Sequence, residues 1–252
     1  MKHLEYYYVP PRDIKDDVVE FKGSELKHLT VVSRKKSGDK IFVVDGEGHT
    51  YSVELINVTS KSAIGKIQKR SRYLREPNFK LTLAQAIPKG NRFDLIIEKG
   101  TEIGVSKFIP LITERSIVQG SETKLNRWQK IAIAAMKQCT RSILPEITPA
   151  QTLDQLFMAK KIYHLQIIAH PENNAKSLTE VIIRNKEKFK KISNIKSGII
   201  LIGAEGGFST AEVTTAKSWK FETFSLGQRR LRSETAGIIA SALTMELIDN
   251  WY

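Results

Sequence analysis

At 252 residues with 41% hydrophobic side chains, the chain is long enough for one large domain, or a medium one with a small companion, and apolar enough to pack a core. Its single cysteine, Cys139, excludes a disulfide framework, a thiolate zinc site and a cysteine-pair redox centre, and fits a reducing cytoplasm. A formal charge of +13 favours a polyanionic partner, because lysines and arginines displace the counterions condensed on phosphates. Six basic residues and no acidic one fall within 61–75, and six more within 184–196 against Glu187 alone. The second run is spaced like a solvated helix face. The most apolar stretch, 236–248, is interrupted by Ser241, Thr244 and Glu246 and is too short to span a membrane. Met1-Lys2-His3-Leu4-Glu5 has no signal-peptide core.

Residues 1–72 read as all-β. Strands are expected at 40–44, at 51–55 after the turn Asp45-Gly46-Glu47-Gly48, and at 63–67, with a short helix at 25–33. Tyr6, Tyr7 and Tyr8 suit strand aromatics packed on a small barrel better than a base-stacking platform. A linker is expected at 73–78, where Pro77 disfavours helix in the residue before it. From 79 to 252 strands and helices alternate: strands at 81–87, 107–112, 162–169, 198–202 and 222–226, helices at 91–103, 123–141, 177–189 and from about Ser233. In the helix 123–141, Leu125, Trp128, Ile131, Ala132, Ala135, Met136 and Cys139 share one face. Such alternation predicts a mostly parallel sheet covered by helices.

Two segments carry chemistry. In Gly203-Ala204-Glu205-Gly206-Gly207-Phe208-Ser209 an apolar strand runs straight into a three-glycine loop. Glycines there permit positive φ and close approach of a ligand to the backbone. Ser209 with Glu212 has capping-box spacing for the next helix. The spacing is neither a dinucleotide nor a P-loop fingerprint, and the loop lies late in the domain, where a Rossmann-type methyltransferase would have it early. In Leu226-Gly227-Gln228-Arg229-Arg230-Leu231-Arg232-Ser233-Glu234-Thr235-Ala236, a strand end leads to three arginines and a helix start. Both loops belong to one edge of the sheet, where Arg229 and Arg232 are suited to hold phosphate or stabilise a developing anion.

These segments resemble the RsmE family of small-subunit ribosomal RNA uracil-N3 methyltransferases. Residues 203–209 are similar to its Gly-Pro-Glu-Gly-Gly-Phe-Ser motif, and 226–236 to Leu-Gly-x-Arg-Ile-Leu-Arg-x-Glu-Thr-Ala, with Ala204 and Arg230 standing where the family has proline and isoleucine. Residues 98–105 with Pro110 resemble its Lys-x-Thr-Glu-Leu-Gly-Val segment, and Gln138-Cys139-Thr140-Arg141 with Pro145 its Gln-x-x-Arg segment. His28-Leu29, Arg34 and Gly38-Asp39 resemble its N-terminal domain. The resemblance covers nearly the whole chain. It implies an α/β fold: a small PUA-like β-barrel RNA-binding domain (1–72), then a C-terminal α/β-knot (SPOUT, trefoil knot) methyltransferase domain (79–252). It implies a homodimer with S-adenosylmethionine as cofactor, acting on small-subunit ribosomal RNA or the assembled subunit.

The implied cofactor residues are Leu201, Ile202, Gly203, Glu205, Gly206, Gly207, Leu226, Gly227 and Leu231. Glu205 suits either ligand contact or bracing of the loop. His170, just past a strand end, suits a cofactor contact or an ordinary loop histidine. Lys99, Arg115 and Arg141, with Arg34, are candidate phosphate contacts, against the alternative of surface solvation. No histidine is an obvious base, so Arg232, with Arg229, is assigned to stabilising a uracil anion while water or Glu234 takes the N3 proton. No metal-ligand cluster is visible. The alternatives are a related knotted ribose 2′-O-methyltransferase and a non-catalytic RNA-binding assembly protein. The nearly all-apolar final helix (Ile238, Ile239, Ala240, Ala242, Leu243, Met245, Leu247, Ile248) needs cover on more than one side, from monomer core or a second copy.

Overall fold

The computed structural model describes residues 5–116, 122–172, 175–190 and 196–249. They form two compact units: Met1–Glu76 with Ile133–Leu144, and Pro77–Ala132 with Pro145–Tyr252.

The first unit holds strands β1 (Tyr6–Tyr8), β2 (Ile14–Lys15) and β3 (Val18–Phe21), the short helix α1 (Gly23–Lys27) continuing as a π-helical turn to Val32, and strands β4 (Lys40–Val44), β5 (His49–Val58) and β6 (Ala63–Arg72). The sheet order is β1-β4-β5-β6-β3-β2. Alternation along the strands sends Ile41, Val43, Val53, Leu55 and Ala63 into one core. Register slips on β5 between Ser52 and Val53 and between Leu55 and Asn57 bend the sheet. It curls far enough that Tyr7 on β1 and Phe21 on β3 meet edge to face, 6.1 Å apart, although three strands separate them in the order. Tyr7 is fully buried and Tyr6 stacks on Phe42, so these tyrosines serve packing, as expected.

The second unit is built on a seven-stranded parallel sheet: β7 (Lys80–Ala86), β8 (Lys107–Ile112), β9 (Glu146–Ile147), β10 (Gln151–Thr152), β11 (Leu165–Ala169), β12 (Ser197–Ile202) and β13 (Glu222–Phe224). The order is β10-β8-β7-β12-β11-β13, with β9 also on β8. Helices α2 (Arg92–Ile103), α3 (Glu122–Gln138), α4 (Leu153–Met158), α5 (Leu178–Lys190), α6 (Thr210–Ser218) and α7 (Ser233–Asp249) connect or follow the strands. Central strands are apolar on both faces: five of the six β12 residues are buried. α6 begins on the expected capping box, with Ser209 Oγ accepting from Glu212 N and Glu212 Oε2 accepting from Ser209 N. β9, β10 and α4 had no expectation from sequence; α4 starts on a second capping box, Thr152 with Gln155. Among the described residues no helix is long and apolar enough to cross a membrane.

The second unit does not contain everything after residue 79. α3 crosses between units, and Met136 near its end packs with Tyr6 and Val44 of the first. Amphipathic spacing showed that this helix buries a face; it carries no information about which core receives it. The expected linker is also partly interior to the first unit. Glu76 has a buried side chain that takes hydrogen bonds from Ser142 N (2.7 Å) and Ile143 N (2.9 Å) and an ion pair from Arg141 Nη2 (2.9 Å). Part of the basic run 184–196 lies outside the described residues; Arg184 itself pairs with Glu222.

Candidate active site

The carboxyl ends of β11, β12 and β13 open on a cavity of about 510 Å³, the expected ligand position in a parallel sheet. Ala169 and His170 wall one side. The glycine loop after β12 forms the floor, and the arginine loop after β13 returns over it to α7. Ile202, Gly203, Glu205, Gly206, Gly207, Leu226, Gly227, Leu231 and His170 all line this cavity. So do Arg229 from the expected catalytic set and Arg115 from the expected RNA set.

Gly203 and Gly207 are each required, for different reasons. A Cβ on Gly203 would lie 2.8 Å from the backbone of Gly207, so the loop closes on itself only with glycine at 203. Gly207 adopts φ +70°, a left-handed conformation, with open space where a side chain would go. Gly206, expected to share that conformation, does not. There a Cβ would meet the Arg115 side chain at 3.1 Å.

The loop is held from four other segments. Ser233 Oγ, at the start of α7, donates to Gly203 O (2.6 Å) and accepts from the buried amide of Gln85 on β7 (2.7 Å). Arg115, just after β8, donates to Gly206 O (2.5 Å), and Arg230 donates to Glu205 O (2.9 Å). Arg92 Nη1, at the start of α2, pairs with Glu205 Oε1 (3.3 Å), while its Nε lies 3.6 Å from Glu234 Oε1. Glu205 therefore braces the loop at the cavity wall. The sequence marks Ser233 only as a helix start and gives no role to Gln85 or Arg92. The one available signal was a glutamine inside an otherwise apolar strand.

Four expectations change, and that for Arg232 is narrowed to a place outside the cavity wall. Leu201 is fully buried in the sheet core and does not reach the cavity. Arg232 is exposed and stands outside the cavity wall, its carbonyl accepting from Ala236 N as α7 begins. Glu234 is buried behind the wall and tied to Arg92, which removes it from the position of a base. Lys99 lies between Glu98 and Glu102, whose carboxylates raise its pKa and occupy its charge. Arg141 is buried on Glu76 in the first unit and presents nothing to phosphate. Arg34 is exposed on the first unit with φ +49°. His170 Nε2 stands 3.8 Å from Glu172, whose pKa is lowered by its hydrogen bond from Lys217.

A family model for an RNA methyltransferase domain matches residues 75–245, and one for an RNA methyltransferase PUA domain matches 21–68. The chain is 33% identical, over 96% of its length and 77% of the relative's, to ribosomal RNA small subunit methyltransferase E of Synechocystis sp.. It is 30% identical to the Bacillus subtilis protein of that name, over 86% of each chain. The chain belongs to the ribosomal RNA small subunit methyltransferase E family. Solved structures agree: the Neisseria gonorrhoeae family member bound to S-adenosyl methionine superposes with a TM-score of 0.83 at 27% identity, covering 97% of this chain and 98% of that one. A putative methyltransferase from Legionella pneumophila in complex with the same cofactor gives 0.82 at 30% identity, with the same coverage. A PUA-like unit followed by an α/β methyltransferase unit is thus the fold of this family as well as of this chain.

Proposed function

We propose that the protein transfers a methyl group from S-adenosylmethionine to N3 of a uracil in small-subunit (16S) ribosomal RNA. The observation that carries this reading is the cavity itself. Its wall combines what such a cofactor needs: glycine backbone open to close approach at Gly207, apolar surface from Ile202, Leu226 and Leu231, and the Arg229 guanidinium for a carboxylate. Bound there, the cofactor supplies an electrophilic methyl on a sulfonium.

The protein's own part is electrostatic. N3 of uracil is protonated and a poor nucleophile at neutral pH, and losing its proton places negative charge on the flanking carbonyl oxygens. Arg232, exposed beside the cavity mouth and next to the N-terminus of α7, presents positive potential to that charge. Its position outside the wall suits contact with the RNA base rather than with the cofactor. With Glu234 turned inward on Arg92, the proton leaves to solvent water. Arg229 lines the cavity and holds ligand; Arg115 and Arg230 hold the loop.

Exposed Lys66, Lys69 and Arg72 on β6 supply a phosphate-facing edge for residues 1–72 as an RNA arm, with Arg34 on the same unit. On α7, Ile239 and Leu243 remain 37% and 40% exposed one turn apart, with Leu95 on the neighbouring α2 at 42%, and this apolar stripe supports a homodimer. The threading of the last segment into a trefoil knot, and action in the cytoplasm on RNA or subunits, complete the reading. The test is methylation of small subunits and of their naked RNA, followed by nucleoside mass spectrometry. 3-Methyluridine is expected; a ribose-methylated product, or none with calorimetrically silent cofactor, overturns it.

A further inference from the structure

Gly207 N donates to Ala204 O at 2.8 Å, so residues 204–207 form a β-turn whose central peptide joins Glu205 to Gly206. Two forms of such a turn interconvert by flipping that peptide. The flipped, type II form needs φ of about +80° at its third position, here Gly206. Gly206 does not have positive φ, so the turn is in the other form. Glycine itself offers little resistance to the flip. In the family motif a proline stiffens position 204; this chain has alanine there.

What opposes the flip is a guanidinium. Arg230 Nη2 donates to Glu205 O, the carbonyl of the central peptide, at 2.9 Å. A planar trans peptide points its C=O and N–H in opposite directions, so holding one fixes the other. Arg115 does the same for the next peptide, through Gly206 O. We propose that Arg230 is a positioning residue that locks the central peptide of the 204–207 turn, and so sets how Gly206 N–H is presented to the cofactor. The family motif has isoleucine at 230, so this tether belongs to this chain. The proposal rests on the cavity being the S-adenosylmethionine site.

A double-variant experiment separates a lock from a direct ligand contact. Alanine at 206 disfavours positive φ and so opposes the flipped turn without help from Arg230. Its Cβ would sit 3.1 Å from Cδ of Arg115, whose guanidinium holds Gly206 O, so the substitution is compared only with the double variant that shares it. Calorimetry with S-adenosylmethionine is run on the full chain, Arg230→Ile, Gly206→Ala and the double variant. Arg230→Ile should weaken binding about fivefold to tenfold, the scale of one net hydrogen bond, with the rate at saturating cofactor unchanged. Gly206→Ala has its own effect on binding and serves as the background: adding Arg230→Ile to it should weaken binding by no more than about twofold further, because the flipped turn is already opposed. In ligand-free protein carrying ¹⁵N-glycine, the Gly206 amide should split or broaden in Arg230→Ile and stay single in the parent. Parental affinity in Arg230→Ile, a full fivefold to tenfold loss on adding Arg230→Ile to Gly206→Ala, or a Gly206 amide that ignores the substitution overturns the proposal. A parent chain that binds no cofactor refutes the proposed function instead, and the amide measurement still decides the lock.

Discussion

Arg141 and the arginines of the cavity rim carry the same side chain, yet they occupy opposite physical situations. Arg141 and Glu76 are 4% and 2% exposed, joined through Nη2 and Nε, and the carboxylate also takes two backbone amides. Arg115 and Arg230 are exposed and donate single bonds to loop carbonyls. A buried guanidinium committed to a carboxylate is closed to a ligand and acts on folding. An exposed one that touches a loop can act on binding at little cost to the fold. Charge in a sequence is therefore no guide to nucleic-acid contact until burial is known.

Removing one partner of a buried ion pair strands the other charge, so Arg141→Ala should lower unfolding free energy by about 3–5 kcal/mol. Denaturant titration measures this. If stability holds and RNA affinity falls instead, Arg141 is a phosphate contact after all. Arg232→Ala tests the exposed end. It should slow single-turnover methylation by about 100-fold, the scale of removing one donor to a developing anion, while cofactor affinity barely changes. Higher pH should restore part of the rate, because hydroxide then does more of the deprotonation. Weakened cofactor binding with an intact saturated rate would make Arg232 a binding residue. Gly207→Val asks whether the loop backbone matters beyond its arginine tethers. A β-branched residue at φ +70° costs roughly 1–3 kcal/mol, which the loop relieves by leaving its binding geometry, so cofactor affinity should drop tenfold or more while unfolding free energy falls by no more than that strain. Parental affinity in a folded variant would remove the loop from the site.

How far the sequence carries depends on what decides each feature. β8 was legible to the residue, because a buried parallel strand is a continuous apolar run between punctuating residues. α6 was legible because its capping box is local. β9 and β10 are two residues long and owe their pairing to β8, about 40 residues away, so no window reveals them. The glycine and arginine loops could be placed together because parallel strands end at one edge. The side chains that hold them could not. Gln85 lies 148 residues from Ser233, Arg92 lies 113 from Glu205 and Arg115 lies 91 from Gly206, so only the fold joins them. Arg141 was misread for the same reason, since Glu76 lies 65 residues away inside an apparent linker.

Two arginines of one strand differ in the same way. Arg70 and Arg72 are both exposed on β6 and both belong to the basic run. Arg70 is already committed: it pairs with Asp17 at 2.9 Å and donates to the Asp16 carbonyl. Arg72 instead lies 4.9 Å over the Tyr73 ring, a contact that spreads its charge over an aromatic face without neutralising it. A phosphate that approaches Arg70 must displace a carboxylate; one that approaches Arg72 need not. Removing one phosphate-binding side chain flattens the log–log dependence of RNA affinity on salt by roughly 0.7–0.9 units. Arg72→Ala should show that change and Arg70→Ala a smaller one, in salt titrations of binding to small-subunit RNA. Equal slopes in parent and Arg72→Ala would mean that β6 does not face the RNA, whatever its charge.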